Sequence, residues 1–335
     1  MRAEVVGQAW RIVQPVLDAW AIAAPGARST GAINCHERVE AAGSNGGTCM
    51  TAPGRPPSKI SLVLADVDGS LLTSEKVLTE RAANAVKALG AAGIAFAVTS
   101  GRPPRGMAML VAPLALKTPI AGFNGGVFVR PDMSVIESHA IDPGIARQTI
   151  ALILGQKLDV WVYTPDEWLI RDPDAPPVAR ETWTVKFDAK VVPEFTNENL
   201  AHAVKIVGIS DDLDRVAACE KRAQEELGDR ASAARSQPYY LDVTHPRANK
   251  GTVVAALSKF LDIPAGEIVT VGDMPNDVLM FRQSGFSIAM GNASDEVKAH
   301  ASTVTDGNEN EGFAKAMEKF ILGATSKSSD DDGQQ

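Results

Sequence analysis

From Lys59 onward the chain alternates short apolar runs with stretches of helical periodicity. Ile60-Ser61-Leu62-Val63-Leu64-Ala65 is nearly continuous in apolar residues, as expected of a strand covered on both faces. Thr79 can cap a helix carrying Ala82, Val86 and Leu89 on one face, and Gly90 and Gly93 punctuate its end. Ile94-Ala95-Phe96-Ala97-Val98 reads as a second buried strand and Pro119–Phe123 as a third. Much later, a helix over Gly251–Leu261 leads through Pro264 to the strand Ile268–Val271. A helix over Asp277–Gln283 and the strand Phe286–Ala289 follow. Strands alternating with helices predict right-handed crossovers and an α/β fold with a doubly wound parallel sheet.

Between Ile141 and Asp242 this rhythm breaks. Trp161, Tyr163, Trp168 and Trp183 cluster there, and Asp172–Pro177 is interrupted by proline. A helix is expected at Leu213–Leu227, with strands at Trp183–Phe187 and Lys205–Ile209. The segment reads as an α+β domain inserted into the first. The expected organisation is a core over residues 59–140 and 243–322, an insertion over 141–242, an N-terminal extension over 1–58 and a disordered tail over 323–335.

Composition narrows the class. The 335 residues give room for two domains at roughly 100–200 residues each. A hydrophobic content of 45% supports a real core. Lys and Arg number 33 against 41 Asp and Glu, a net charge of −8, and no basic stripe appears, which argues against a nucleic-acid partner. No apolar run reaches about 18 residues, so no ordinary membrane-spanning helix is expected. Three cysteines, Cys35, Cys49 and Cys219, cannot make a disulfide scaffold and point to a reducing, cytoplasmic setting. Cys219 falls inside a predicted helix and reads as a small buried hydrophobe.

The first 58 residues have a different texture. Glu4 and Asp18 interrupt the apolar face of residues 1–23, and residues 24–58 are rich in Ala, Gly, Ser and Pro, as a linker is. Cys35-His36 and Cys49 match no zinc spacing, and Met50 is a second candidate start. The extension reads as dispensable.

Asp66-Val67-Asp68-Gly69 follows the first apolar run. Two acids one residue apart at a strand's carboxyl end repel one another, and a cation or a shared proton relieves them. Taken alone, the motif could equally be a capped turn. The second strand, however, ends in Thr99-Ser100-Gly101-Arg102, and a later one ends in Gly272-Asp273-Met274-Pro275-Asn276-Asp277. Lys250 opens the helix between them. In open α/β sheets ligands bind at the carboxyl ends of strands, near the point where strand order reverses. Carboxylates with nearby carbonyls suit a hard cation such as Mg²⁺, and Ser100 and Lys250 supply donors for a phosphate.

In these pieces the sequence resembles the haloacid dehalogenase-like hydrolases, and within them the Cof-type sugar-phosphate phosphatases. The resemblance rests on DVDGSLL at Asp66–Leu72, SGRP at Ser100–Pro103, NGG at Asn124–Gly126, ANKG at Ala248–Gly251 and GDMPND at Gly272–Asp277. They occur in the family's order between Lys59 and Leu322. Ser70 stands where the family usually carries Thr, which keeps the hydroxyl. The resemblance implies a Rossmann-like core, a type IIB cap in the inserted segment, and Mg²⁺-dependent hydrolysis of a small phosphorylated metabolite, a sugar phosphate. On that basis Asp66 would be the nucleophile and Asp68 the general acid and base. Mg²⁺ would lie between Asp66, the backbone carbonyl of Asp68 and Asp273. Ser100, the Gly101 N–H, Lys250 and Asn276 would hold the transferring oxygens, and Asp277 would orient Lys250 or a metal-bound water. Asn124 is either a turn residue or a phosphate contact.

Other candidates carry less. His36, His139, His202, His245 and His300 are scattered and read as surface or helix-end residues. The inserted aromatics read as core. The acidic run Asp211–Asp214 reads as a helix start. Two alternatives to the phosphatase are a sugar phosphomutase and a phosphoryl-binding regulator without turnover. The regulator predicts loss of at least one of Asp66, Asp68, Lys250 or Asp273, and all four are present. The sequence holds no code for the particular metabolite or the oligomeric state.

Overall fold

The computed structural model describes Gly54 and residues 56–323. The expectations for the N-terminal extension, including Cys35, His36, Cys49 and Met50, and for the tail beyond Gly323 lie outside the described residues.

The first apolar run forms β1 (Leu62–Asp66), with every position buried. Leu62 and Leu64 pack against Val253, Val254 and Leu257 of the Lys250–Leu261 helix. Val63 and Ala65 point the other way, into the layer holding Ala82, Val86 and Leu89 of the Glu80–Ala91 helix. Thr79 caps that helix, its hydroxyl accepting from the Ala82 N–H at 3.1 Å. The chain continues through β2 (Ala95–Thr99), β3 (Ile120–Gly122), β4 (Val127–Val129) and β5 (Val135–Ser138). It then builds a second sheet from β6 (Asp159–Tyr163), β7 (Trp168–Ile170), β8 (Lys190–Val191), β9 (Lys205–Ile209), β10 (Ser232–Gln237) and β11 (Tyr240–Thr244). It returns to the first through β12 (Ile268–Gly272), β13 (Phe286–Ala289) and β14 (Thr303–Val304).

The first sheet has the order β14-β13-β12-β1-β2-β3-β4-β5. Pairing is parallel from β14 through β3, and β4 and β5 add an antiparallel edge. Strand order reverses at β1: the chain winds outward through β2 and β3, and later returns on the opposite side through β12. The fold is thus α/β, with the doubly wound, mostly parallel sheet expected and an α+β unit inserted in it. A crevice opens where β1 ends between β2 and β12.

The second sheet, ordered β10-β11-β9-β6-β7-β8, is antiparallel except for the β7–β8 pair. One face carries Val160, Val162, Leu169, Ile206, Leu241 and Val243 into a core with the Pro143–Gly155 and Leu213–Leu227 helices. Cys219 lies in that core, its thiol pushed up to about 11 by burial, as a structural cysteine should be. The other face carries Trp161, Tyr163 and Trp168 into contact with the first sheet's layer. Among the described residues no helix is long and apolar enough to cross a membrane.

Two expectations are corrected. Trp183–Phe187 is not a strand: residues Pro176–Val185 form a helix. Its prolines occupy the first turn, where no intrahelical N–H is needed. The alternation of Trp183, Val185 and Phe187 concealed the helical spacing of Val178 and Val185, the buried pair. Trp183 is therefore not core but 49% exposed, with the Lys186 ammonium 4.6 Å from its ring centre. Nor is His139 a surface residue. It is buried on the segment leaving β5, its ring 5.6 Å from that of His245 on the segment leaving β11. The Nη2 of Arg247 lies 3.3 Å from His139 Nδ1.

The helix assignment makes a stability prediction. Trp183→Ala should change unfolding free energy by no more than about 1 kcal/mol, the scale of an exposed cation–π contact. Phe128→Ala, at a buried ring packed 5.5 Å from Phe260, should cost ~3–5 kcal/mol. Chemical denaturation of both variants checks this, and a loss at Trp183 as large as at Phe128 would contradict the assignment.

Candidate active site

β1 delivers Asp66 to the mouth of the crevice with its side chain 3% exposed as a residue. Burying a carboxylate requires a partner, and the Lys250–Leu261 helix supplies one at its first position. Asn249 caps that helix by accepting from the Thr252 N–H at 3.1 Å, which fixes where Lys250 leaves the backbone. The Lys250 Nζ lies 2.6 Å from Asp66 Oδ1 and 2.6 Å from Asp277 Oδ1. Burial works against this ammonium, but Asp277 and Asp66 outweigh it and hold the amine protonated beyond its ordinary range. The second oxygen of Asp277 accepts from the backbone N–H groups of Asp273 and Met274, at 2.9 and 2.8 Å. Asp277 is thus fully engaged by the protein.

Asp273, at the end of β12, accepts from the Ser70 hydroxyl at 2.9 Å and from Asn292 Nδ2 at 3.1 Å. Asn292 also donates to the Gly69 carbonyl at 2.9 Å. Two glycines permit this closeness. Gly69 has φ +86°, and a Cβ there would meet Asp273 Oδ2 at 2.4 Å. A Cβ on Gly272 would meet Asp277 Cγ at 2.4 Å. Among the described residues, oxygens of Asp66, Asp273 and Asp277 all lie within 4.8 Å of one another. Burial pushes Asp66 well above the usual carboxylate range; Lys250 opposes this, and Asp277 and Asp273 add to it. Burial and then the Asp277 charge push Asp273 up to about 7. An all-oxygen set with more negative charge than Lys250 can balance fits a hard divalent cation.

Asp68 has the opposite surroundings. Its oxygens receive Arg102 Nε and Nη2 at 2.6 Å each, a bidentate clamp, and Lys76 Nζ at 2.6 Å. Burial opposes ionisation, but Arg102 and Lys76 hold this carboxyl below the usual range. The Ser100 hydroxyl is 3.5 Å from Asp68 Oδ2 and accepts from the Arg102 N–H at 3.1 Å. Asn276 Nδ2 donates to Asn124 Oδ1 at 3.3 Å, and a Cβ on Gly101 would lie 3.6 Å from the Asn124 amide. Asn124 has φ +56°, so it is a turn residue and also faces this group.

All nine residues singled out in the sequence thus meet at one crevice. Three were not foreseen. Arg102 lies inside the SGRP motif, where the sequence alone assigns it no role. Asn292 follows β13, next to β12, and its position just past a strand end was the available signal. Lys76 lies in an irregular loop and had none.

Carboxylates and a lysine gathered at the carboxyl edge of a doubly wound sheet, beneath an inserted second sheet, place the protein among the α/β enzymes. More narrowly, residues 63–317 match the haloacid dehalogenase-like hydrolase family, to which the chain belongs. A Haemophilus influenzae protein provisionally named a phosphatase is 29% identical over 258 residues, covering 77% of this chain and 97% of that one. The 5-amino-6-(5-phospho-D-ribitylamino)uracil phosphatase of Bacillus subtilis is 25% identical over 286 residues, covering 78% and 98%. A haloacid dehalogenase-like hydrolase of Bacteroides thetaiotaomicron shares the fold at a TM-score of 0.73 and 23% identity, covering 78% of this chain and all (100%) of its own.

The raised carboxyls give a pH dependence with a definite sign. Unfolded, the Asp273 carboxyl titrates near about 3.9; folded, it keeps its proton to about 7. The unfolded state therefore loses the proton first, so this group's contribution to stability falls as pH rises through that window. The melting temperature of the metal-stripped protein should fall from pH 5 to pH 8 by more than that of Asp273→Asn. Added Mg²⁺ should raise it more at pH 8 than at pH 5, since the cation competes with the proton. A Mg²⁺ shift independent of pH would contradict this.

Proposed function

We propose that the protein is a Mg²⁺-dependent phosphatase that hydrolyses a small sugar phosphate through an aspartyl-phosphate on Asp66. The observation that carries this reading is the buried Lys250 ammonium 2.6 Å from both Asp66 and Asp277. It holds one Asp66 oxygen and leaves the other to attack phosphorus. Membership of the hydrolase family and the relatives named as phosphatases support it. A regulator without turnover would not need a charged cluster this costly to bury. The cytoplasm suits the free, buried thiol of Cys219.

Asp66, Asp273 and the backbone carbonyl of Asp68 would hold the Mg²⁺. When bound, the cation neutralises part of the charge that a carboxylate and a phosphate dianion bring together. In the first half-reaction an Asp66 oxygen bonds to phosphorus, the bond to the ester oxygen breaks, and Asp68 gives that oxygen a proton. In the second, Asp68 takes a proton from water, the water oxygen bonds to phosphorus, and Asp66 is released with inorganic phosphate. The Arg102–Lys76 clamp keeps Asp68 ionised, the form needed to accept that proton. For the first step the clamp must open and Asp68 must carry a proton, the one taken from water in the preceding turnover. Ser100, the Gly101 N–H and Asn276 steady the transferring oxygens, Lys250 shares in this, and Asp277 holds Lys250 in place.

Steady-state phosphate release separates the two acids. Asp66→Asn should abolish turnover. Asp68→Asn removes proton transfer, a contribution of about 10²–10⁴-fold, and should slow an alkyl sugar phosphate more than an aryl phosphate, whose leaving group needs little protonation. Equal losses on the two substrates, or robust turnover by Asp66→Asn, would overturn the assignment.

A further inference from the structure

We propose that His139, His245 and Arg247 form a proton-sensitive clasp between the two segments that connect the inserted unit to the core. While both imidazoles are neutral, the clasp steadies the Asn124 turn and the start of the Lys250 helix. It touches neither substrate nor metal and so goes beyond the phosphatase reading. The chain crosses between the two units twice, over residues 139–142 after β5 and over residues 245–249 after β11. A histidine is the first residue of each crossing, and the two rings lie 5.6 Å apart, 34° from parallel. Arg247 spans them. Its Nη2 lies 3.3 Å from His139 Nδ1, and its backbone N–H donates to His245 Nδ1 at 3.0 Å. A guanidinium carries donors only, so His139 Nδ1 has to accept, as His245 Nδ1 does from the amide. Both Nδ1 atoms are therefore unprotonated. A proton on either ring removes the acceptor and turns one N–H toward another.

Backbone hydrogen bonds carry the clasp to the site. The His139 N–H donates to the Gly126 carbonyl at 2.8 Å, next to the Asn124 turn, and on the inserted side the Ile141 N–H donates to the Ala203 carbonyl at 2.8 Å. The Arg247 carbonyl accepts from the Thr252 hydroxyl at 2.7 Å and from the Asn249 N–H at 3.0 Å, in the turn that launches Lys250. A Cβ on Gly125 would lie 3.2 Å from the Asn249 carbonyl oxygen, so the two crossings meet behind the catalytic lysine. The groups facing the histidines are few in kind. The Phe128 ring on β4 stands edge-on to His139 at 6.5 Å, and Glu137 Oε1 on β5 lies 3.5 Å from His139 Nε2. Burial and then the Arg247 charge push His139 below the ordinary imidazole range, with Glu137 opposing. Burial, His139 and Arg247 do the same to His245. Glu137 is 46% exposed, so water weakens its pull on the proton. Unfolded imidazoles titrate near about 6.5, so in the window below that value the unfolded chain binds protons that the folded clasp refuses. Acid therefore works against the clasp, and neutral pH keeps it shut.

Two measurements on the full chain with Mg²⁺ test the clasp. The first is a proton NMR titration of the histidine rings, each peak assigned by its loss in His139→Asn or His245→Asn. Both midpoints should lie below about 6.5 in the wild type, and Arg247→Met, which removes the charge but keeps much of the stem, should raise both. A midpoint at or above that value for either ring, or midpoints unmoved by Arg247→Met, would overturn the proposal. The second is kcat/KM for p-nitrophenyl phosphate at pH 7.5 and pH 5, compared as a ratio within each protein. The double variant His139→Asn/His245→Asn keeps an oxygen acceptor at each position, at residue 245 in an Asx-turn to the N–H two residues on, and cannot be protonated there. The wild type should lose at least about threefold more than the double variant between the two pH values, while the titrations of Asp66, Asp68 and Asp273 are common to both and cancel. Equal ratios would overturn the coupling of the clasp to the site. If the wild type hydrolyses no p-nitrophenyl phosphate at either pH, the phosphatase reading fails and the NMR titration alone decides the clasp.

Discussion

Three carboxylates with oxygens within 4.8 Å of one another share one buried ammonium, and the rest of the molecule is arranged around that imbalance. Removing one member of a buried charge pair costs ~3–5 kcal/mol, because it strands the other. Lys250 therefore has to arrive at a fixed place, and the Asn249 cap on its helix ensures that it does. Asp66 and Asp273 have to arrive from adjacent strands, and the parallel pairing of β1 with β12 ensures that too. Gly69 and Gly272 remove the Cβ atoms that would hold the carboxylates apart. The surplus negative charge that remains suits a divalent cation.

Environment also sets two chemically identical side chains apart. Asp66 and Asp68 are one residue apart, yet burial pushes the first up and the Arg102–Lys76 clamp holds the second down. Asp66 is the last residue of β1, whereas Asp68 lies beyond the strand end. Gly69, at φ +86°, turns the chain there and exposes Asp68 more than Asp66.

Much of this was legible before any coordinates. The first strand could be read because burial on both faces demands an unbroken apolar run, and Leu62–Ala65 is one. Lys250 could be placed because Asn249 and Gly251 mark a helix start. What failed did so for physical reasons. Trp183, Val185 and Phe187 alternate like a strand, but the prolines before them favour a helix, and a short segment satisfies both patterns. The clamp on Asp68 is made by residues 8 and 34 positions away in sequence (Lys76 and Arg102), a pairing that depends on how β2 and a loop fold back. His139 and His245 looked unrelated at a separation of more than 100 residues, and meet because the second sheet is joined to the first by two neighbouring segments. Local pattern carries strands, caps and turns; contacts between distant loops require the fold.

The central claim is that the buried Asp66 carboxylate, held by Lys250, forms a covalent bond to the transferring phosphoryl group. Trapping tests it most directly: the enzyme is mixed with a ³²P-labelled phosphate ester and Mg²⁺, quenched in acid within the first turnovers, digested and mapped. The account predicts an acid-stable, base- and hydroxylamine-labile label on the peptide containing Asp66, longer-lived in Asp68→Asn and absent from Asp66→Asn. Label on a histidine or serine, or turnover in which rapid-quench sampling finds no phosphoenzyme in either the wild type or Asp68→Asn, would contradict it and point instead to direct attack by water.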